Sequence, residues 1–419
     1  MRCELISSTR DAQGLVGDLR GLIPSGGTVS DAVSEIIDAV RTRGDEAVLE
    51  YTRRFDTAGP PRPLAVPNDQ VLAAGAALSP ELVRALELSI ANLEKAAEAA
   101  LESDRVVRLD GSEVIVREAP VRRAGVYVPS GRSPYPSTVV MGVVTAVVAG
   151  VDEVVVCAPP GPDGEVDQIV LGACALTSRY EVYRMGGAQA IAALAYGTET
   201  VRPVDVIVGP GNLYVQEAKR QVSGQVGIDS FAGPSDLLVI ADSDADPEPV
   251  ALDLLAQAEH GDGTLVMAAS TDRALLEALR RRVEPAAETG AVCCLIELAD
   301  DGSAWELAQA FAPEHLQLIG SRAEQLAETV TTAGCVFVGP EAGTAFGDYV
   351  AGSNHILPTG GSGHFASALS PRAFRRTFTQ VRVTDAAMLA RAAAPLARAE
   401  GFEQHARSME ARIRENHRR

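Results

Sequence analysis

At 419 residues the chain exceeds what one hydrophobic core usually organises, so at least two domains are expected. Apolar residues make up 46% and charged residues 22%, which excludes a disordered chain, and the net charge of -19, spread along the sequence, excludes a basic track for nucleic acid. The six cysteines form neither a CxxC zinc pattern nor a disulfide framework, so a reducing cytoplasm is expected.

Met1 to Leu22 carries charges at Arg2, Glu4, Arg10, Asp11 and Asp18 and lacks the apolar centre of a signal peptide. From Ser30 to Phe55 and from Pro80 to Glu102, apolar residues recur every three or four positions among charges, which predicts amphipathic helices. The longest apolar run, Pro136 to Asp152, is too short to span a bilayer, so no membrane contact is expected. Short β-branched runs then alternate with helical stretches: 125–128, 153–158, 204–208, 237–241, 264–268, 315–319 and 336–338. That alternation predicts an α/β protein with parallel-rich sheets covered by helices.

The turn Gly209-Pro210-Gly211-Asn212 follows one such strand and precedes a helix containing Ala218 and Val222. A dinucleotide can meet the backbone there, but the third glycine of the usual fingerprint is missing, and a tight turn is the plainer reading. Gln257 and His260 lie three apart near the end of a helix beginning around Pro249. They could share a metal, or His260 could simply cap the helix. Glu314 and His315 open a strand after Pro313, either as a solvated strand end or as a pairing suited to acid–base work in which one group takes an alcohol proton and the other activates water. Phe346 to Tyr349 and Gly352 to His355 put a carboxylate, hydroxyls, an amide and an imidazole into one glycine-punctuated loop. From Thr384 the tail has no strand pattern, and Phe402, His405, Met409 and Ile413 fall at helical spacing; such an appendage can be exchanged between subunits.

Together these segments resemble the histidinol dehydrogenase family over nearly the whole chain. The resemblance is carried by Gly125–Pro129, Tyr135–Ser137, Val206–Asn212, Val226–Asp229, Ala232–Ser235, Gln257–His260, Pro313–Leu316, Gly347–Tyr349 and Gly352–Thr359. It implies NAD-dependent, zinc-requiring oxidation of L-histidinol through L-histidinal to L-histidine, with two NAD⁺ consumed per turnover and one Zn²⁺ per subunit. Gln257, His260 and Asp348 of one subunit and His405 of the partner subunit are the implied zinc ligands and also face the substrate. By the same resemblance His315 takes the hydroxyl proton and Glu314 helps water attack the aldehyde. Ser235, Tyr349, His355 and the partner's Glu400 match substrate contacts, and Tyr127, Gln189 and Asn212 match NAD contacts. Ser230, Asp236 and Gly261 depart from the family's usual Met, Glu and Asp.

The implied architecture is a homodimer of two incomplete Rossmann-like lobes with small N- and C-terminal helical extensions. Residues 25–126 and 236–368 are expected to form the main lobe with the zinc and catalytic residues, and 127–235 an inserted NAD-contacting lobe. Residues 1–24 are expected as an extension and 369–419 as a helical tail exchanged between subunits. A zinc and NAD enzyme acting on another small primary alcohol is the near alternative. A zinc hydrolase with Glu314 as base is the more distant one, and a non-catalytic zinc-stabilised scaffold leaves the Glu314–His315 pair without a purpose.

Overall fold

The computed structural model describes residues 3–7, 11–23, 29–57, 59, 62–129, 133–177, 181–230 and 233–413. Ala232, part of the N-terminal stretch and the last six residues lie outside it. The strands are β1 (Cys3–Ser7), β2 (Arg105–Leu109), β3 (Ser112–Pro120), β4 (Arg123–Tyr127), β5 (Glu153–Ala158), β6 (Glu181–Arg184) and β7 (Val206–Val208). They continue with β8 (Gly227–Ile228), β9 (Asp236–Ala241), β10 (Leu265–Ser270), β11 (Val292–Glu297), β12 (His315–Ile319), β13 (Cys335–Val338) and β14 (Arg375–Val383).

Contacts divide the chain into two compact units, Met1–Ala100 with Val121–Phe374, and Leu101–Pro120 with Arg375–Arg419. The first unit holds two parallel sheets, ordered β6-β5-β4-β7-β8 and β1-β11-β10-β9-β12-β13. In the first sheet β4, and in the second β9, lies centrally, the next two strands are added on one side, and the chain then crosses to the other side, with β1 set apart at the edge of the second sheet beside β11. This is the doubly wound order without its sixth strand, so the expected pair of incomplete Rossmann-like sheets is present. Parallel strands covered on both faces read as unbroken apolar runs, and β9 and β10 are buried at every position.

The two faces of the five-stranded sheet are covered by different helices. Val126, Val154 and Val156 pack with the helices Asn68–Ala77, Pro80–Ala99 and Pro136–Val148. Tyr127, Val155 and Cys157 pack with Ser30–Arg43, Asp45–Phe55 and Gly187–Tyr196. The helix Pro136–Val148, centre of the longest apolar run, is buried at every position from Ser137 to Ala146 because it lies between that sheet and other helices. No described helix is long and apolar enough to cross a membrane.

Three expectations about organisation change. The helices between Ser30 and Ala99 pack on the five-stranded sheet, not on the sheet carrying 236–338, since their apolar stripes meet that sheet's two faces. The helix expected over Ser30–Phe55 is broken at Gly44, whose φ of +55° ends one helix and starts the next. The N-terminal segment is no loose extension: β1 adds to the edge of the six-stranded sheet beside β11, and Leu15, Val16 and Leu19 of the helix Ala12–Gly21 enter its core.

The second unit is an antiparallel sheet, β14-β3-β2, followed by two helices, Ala386–Ala399 and Glu403–Glu410. The tail expected to be helical therefore starts with a strand. The helices pack through Ala394, Ala397, Ala406 and Met409, and Arg398 bridges Glu403 and Glu410. Much of the sheet's apolar surface, including Val107, Val381 and Val383, stays exposed.

Candidate active site

In a doubly wound sheet, the crevice opens at the carboxyl ends of the strands where the winding reverses. In the five-stranded sheet that point lies between β4 and β7, and Tyr127 and Gly209 stand there. A cavity of about 440 Å³ begins at this crevice, bordered by Tyr127, Gly209, Pro210, Gly211, Asn212 and Asp229. It ends against Ser235, His260, Glu314, His315, Asp348, Tyr349 and His355. Ser235, Glu314 and His315 of the second group stand at the amino ends of β9 and β12, so one sheet contributes its carboxyl edge and the other its amino edge.

At the crevice, Gly209 has φ +119°, and a Cβ on it would stand 2.1 Å from the Tyr127 carbonyl oxygen; only glycine permits that approach. Asn212 caps the next helix, Leu213–Val222, accepting from the backbone N–H groups of Tyr214 and Val215. Tyr127 is buried, and its hydroxyl accepts from the Gly187 N–H at 3.2 Å. Gln189 does not border the cavity: it is buried, with its amide 3.4 Å from the Asp56 carboxylate.

The acid–base end depends on adjacency of β9 and β12, where His315 pairs in register with Leu237. Asp236 and Glu314 are tied reciprocally: the Glu314 N–H donates to Asp236 Oδ1 at 2.6 Å, and the Asp236 N–H to Glu314 Oε2 at 3.0 Å. Ser235 Oγ also donates to Glu314 Oε2, and Gln257 Nε2 donates to Ser235 Oγ at 2.6 Å. A hydrogen-bond chain thus runs from Gln257 through Ser235 to Glu314. Before Glu314, Ala312 adopts left-handed backbone with φ +49°, alone among described non-glycine residues, and so turns the chain sharply into β12.

Burial pushes the Glu314 carboxyl up to about 7, against the pull of the Ser235 and Asp236 hydrogen bonds. Burial, reinforced by the Glu314 charge, takes Asp236 to about 8, and burial lowers His315 below the usual imidazole range. His315 Nδ1 faces the Asp236 carbonyl at 3.3 Å; a carbonyl only accepts, so Nδ1 carries the proton and Nε2 keeps a lone pair. That Nε2 lies 3.9 Å from Asp348 Oδ1 on the cavity side.

His260 follows the same logic. It stands just past the helix Pro247–Ala258 with Nδ1 donating to the Gln257 carbonyl at 3.0 Å, so it does cap that helix, yet the capping bond leaves Nε2 as an electron-pair donor. Gln257, His260 and Asp348 border one further depression, of about 700 Å³. An imidazole nitrogen, a carboxylate and an amide oxygen are donors that zinc accepts, so this set fits the expected metal as part of a four-donor shell. Among the described residues no three His, Cys, Asp or Glu side chains are grouped to hold a metal. His355 is half-buried, lowered to about 4 by desolvation, and held between the Asp348 carbonyl at 3.0 Å and the Thr138 hydroxyl at 3.3 Å. His405 and Glu400 belong to the second unit, where both are exposed.

Asp236 and Thr138 escaped the sequence reading as site residues, the first because its role depends on a strand 78 positions away. Lys219 and Asp229 escaped it too. Their signal was a lysine among Val215, Ala218 and Val222, on the buried stripe of its helix.

Fold and site together define an oxidoreductase whose cleft joins a nucleotide-type crevice to a buried acid–base pair. The family model described as histidinol dehydrogenase matches residues 25–413, and the chain belongs to that family. It is 44% identical over 399 residues to the histidinol dehydrogenase of Parasynechococcus marenigrum (strain WH8102), covering 92% of this chain and 91% of the relative. The histidinol dehydrogenase of Pseudomonas aeruginosa is 40% identical over 402 residues, with 92% and 91% covered. The crystal structure of histidinol dehydrogenase from Elizabethkingia anophelis superposes with a TM-score of 0.90 at 30% identity, over 98% of this chain and 97% of that one.

Proposed function

We propose that this protein is a cytoplasmic homodimer that oxidises L-histidinol through L-histidinal to L-histidine, the closing steps of histidine biosynthesis. The observation that carries the reading is the single cavity joining the β4–β7 crevice to Glu314 and His315. NAD⁺, when bound along Tyr127 and the Gly209–Asn212 turn, supplies the hydride acceptor, and two are consumed per histidinol. Gln189, buried and bonded to Asp56, is the weakest of the expected NAD contacts. Gln257, His260, Asp348 and His405 of the partner subunit would hold one zinc per active site, which supplies a fixed anchor for the amino alcohol's nitrogens. Ser235, Tyr349, His355 and the partner's Glu400 complete the substrate pocket.

His315 Nε2 takes the hydroxyl proton while the carbinol carbon loses its hydride. At the aldehyde stage Glu314 takes a proton from the attacking water while His315 returns the first proton to the aldehyde oxygen; a hydrate hydroxyl then gives its proton to His315 and a second hydride leaves. Lowered by burial, His315 is neutral and ready as a base at neutral pH. Pushed up to about 7 by burial, Glu314 is protonated and inert as a base at lower pH and ionised at higher pH. The rate of histidinal oxidation is therefore expected to rise with pH through about 7. Glu314→Gln is expected to erase that limb and lower the rate about 10²-fold or more; a retained limb would assign it to another group.

The overall assignment is tested by incubating the protein with histidinol and NAD⁺. NADH formation that a chelator stops and added zinc restores is the expected result. Turnover without NADH would point to a hydrolase, and preference for a sugar alcohol or sulfonated diol would point to a different dehydrogenase substrate.

A further inference from the structure

We propose that Lys219 and Asp229 form a buried clamp that presets the Gly209 turn and neutralises the cavity wall for the dinucleotide phosphates, an inference that rests on NAD⁺ binding in this cleft. Lys219 is one of only two lysines in the chain, and its side chain is 1% exposed. A buried ammonium needs a counter-charge and hydrogen-bond acceptors, and Lys219 Nζ donates to the Gly209 carbonyl at 2.7 Å and to Asp229 Oδ1 at 2.5 Å. Asp229 Oδ2 in turn accepts from the Gly209 N–H at 2.7 Å, and Oδ1 from the Ser230 N–H. Both peptide groups of Gly209 are thereby gripped by one ion pair.

This has a geometric and an electrostatic effect. The turn from Gly209 to Asn212 borders the cavity, and fixing Gly209 in a conformation closed to other residues sets where that turn meets a ligand. Asp229 also borders the cavity, so its carboxylate alone would repel a pyrophosphate; Lys219, drawn against it from below, cancels that charge. Lys219 makes its bonds to Gly209 and Asp229 and none to Ser235, Glu314 or His315, so it is a positioning residue for the nucleotide end of the cleft.

The test is Lys219→Met in the zinc-loaded enzyme, with NAD⁺ and histidinol affinities measured separately by calorimetry. NAD⁺ is expected to bind about tenfold more weakly, with the kinetic loss in KM for NAD⁺ rather than in kcat. Histidinol affinity should stay within about twofold. Lys219→Met with Asp229→Asn, which strands no charge, is expected to regain part of the NAD⁺ affinity, and it carries the same comparison with wild type if the single variant does not fold. Unchanged NAD⁺ affinity in the variants, or an equal loss for histidinol, overturns the clamp. Failure of the wild-type protein to bind NAD⁺ overturns the underlying assignment, and the clamp's role with it.

Discussion

Histidinol turnover by His315→Asn is expected to fall by about 10³-fold in kcat, with fold and zinc content unchanged. Asparagine can still donate to the Asp236 carbonyl that His315 Nδ1 meets at 3.3 Å, so the start of β12 keeps its tie to β9. It offers no lone pair of suitable basicity where Nε2 faces the cavity. Because both oxidation stages release a hydroxyl proton, NADH formation should fall with histidinol and with histidinal alike. Glu314→Gln should spare the first stage and slow the second. Steady-state rates with each substrate separate the two variants, and a His315→Asn enzyme that lost only histidinal oxidation would reverse the assigned roles.

Much of the first unit is legible because its strands are buried on both faces. The runs at 153–158 and 315–319 match β5 and β12, since parallel strands covered by helices keep few polar residues. β6 was missed because it is short and begins with exposed Glu181, and β2 and β14 because arginines interrupt strands that remain largely exposed. The chemistry was partly legible at Glu314 and His315, titratable residues opposite the apolar grain of their strand. The reciprocal Asp236–Glu314 bonds were not, because they depend on β9 and β12 becoming neighbours after two intervening strands are wound to the other side. Lys219 was hidden differently: charge argues for exposure, and only the three-dimensional position of Asp229 reverses that.

Mixing two inactive variants is expected to restore about a quarter of wild-type activity if the tail is exchanged. His260→Ala removes an imidazole whose Nδ1 is fixed by the Gln257 carbonyl, and His405→Ala one that is exposed on the helix Glu403–Glu410; each homodimer should lose zinc and turnover. In a heterodimer, one site receives intact Gln257, His260 and Asp348 from the His405→Ala subunit and an intact His405 from the partner subunit, while the other site lacks both. With random pairing about half of the dimers are mixed, and each has one working site of two. A ligand set closed within one subunit predicts no recovery, because no chain then carries both histidines. Among the described residues of the second unit the buried apolar cluster is Ala394, Ala397 and Ala406 with Met409 against it, while Val107, Val381, Val383 and Leu396 are exposed. Recovery of activity on mixing would be the evidence that a second copy of the chain covers this surface.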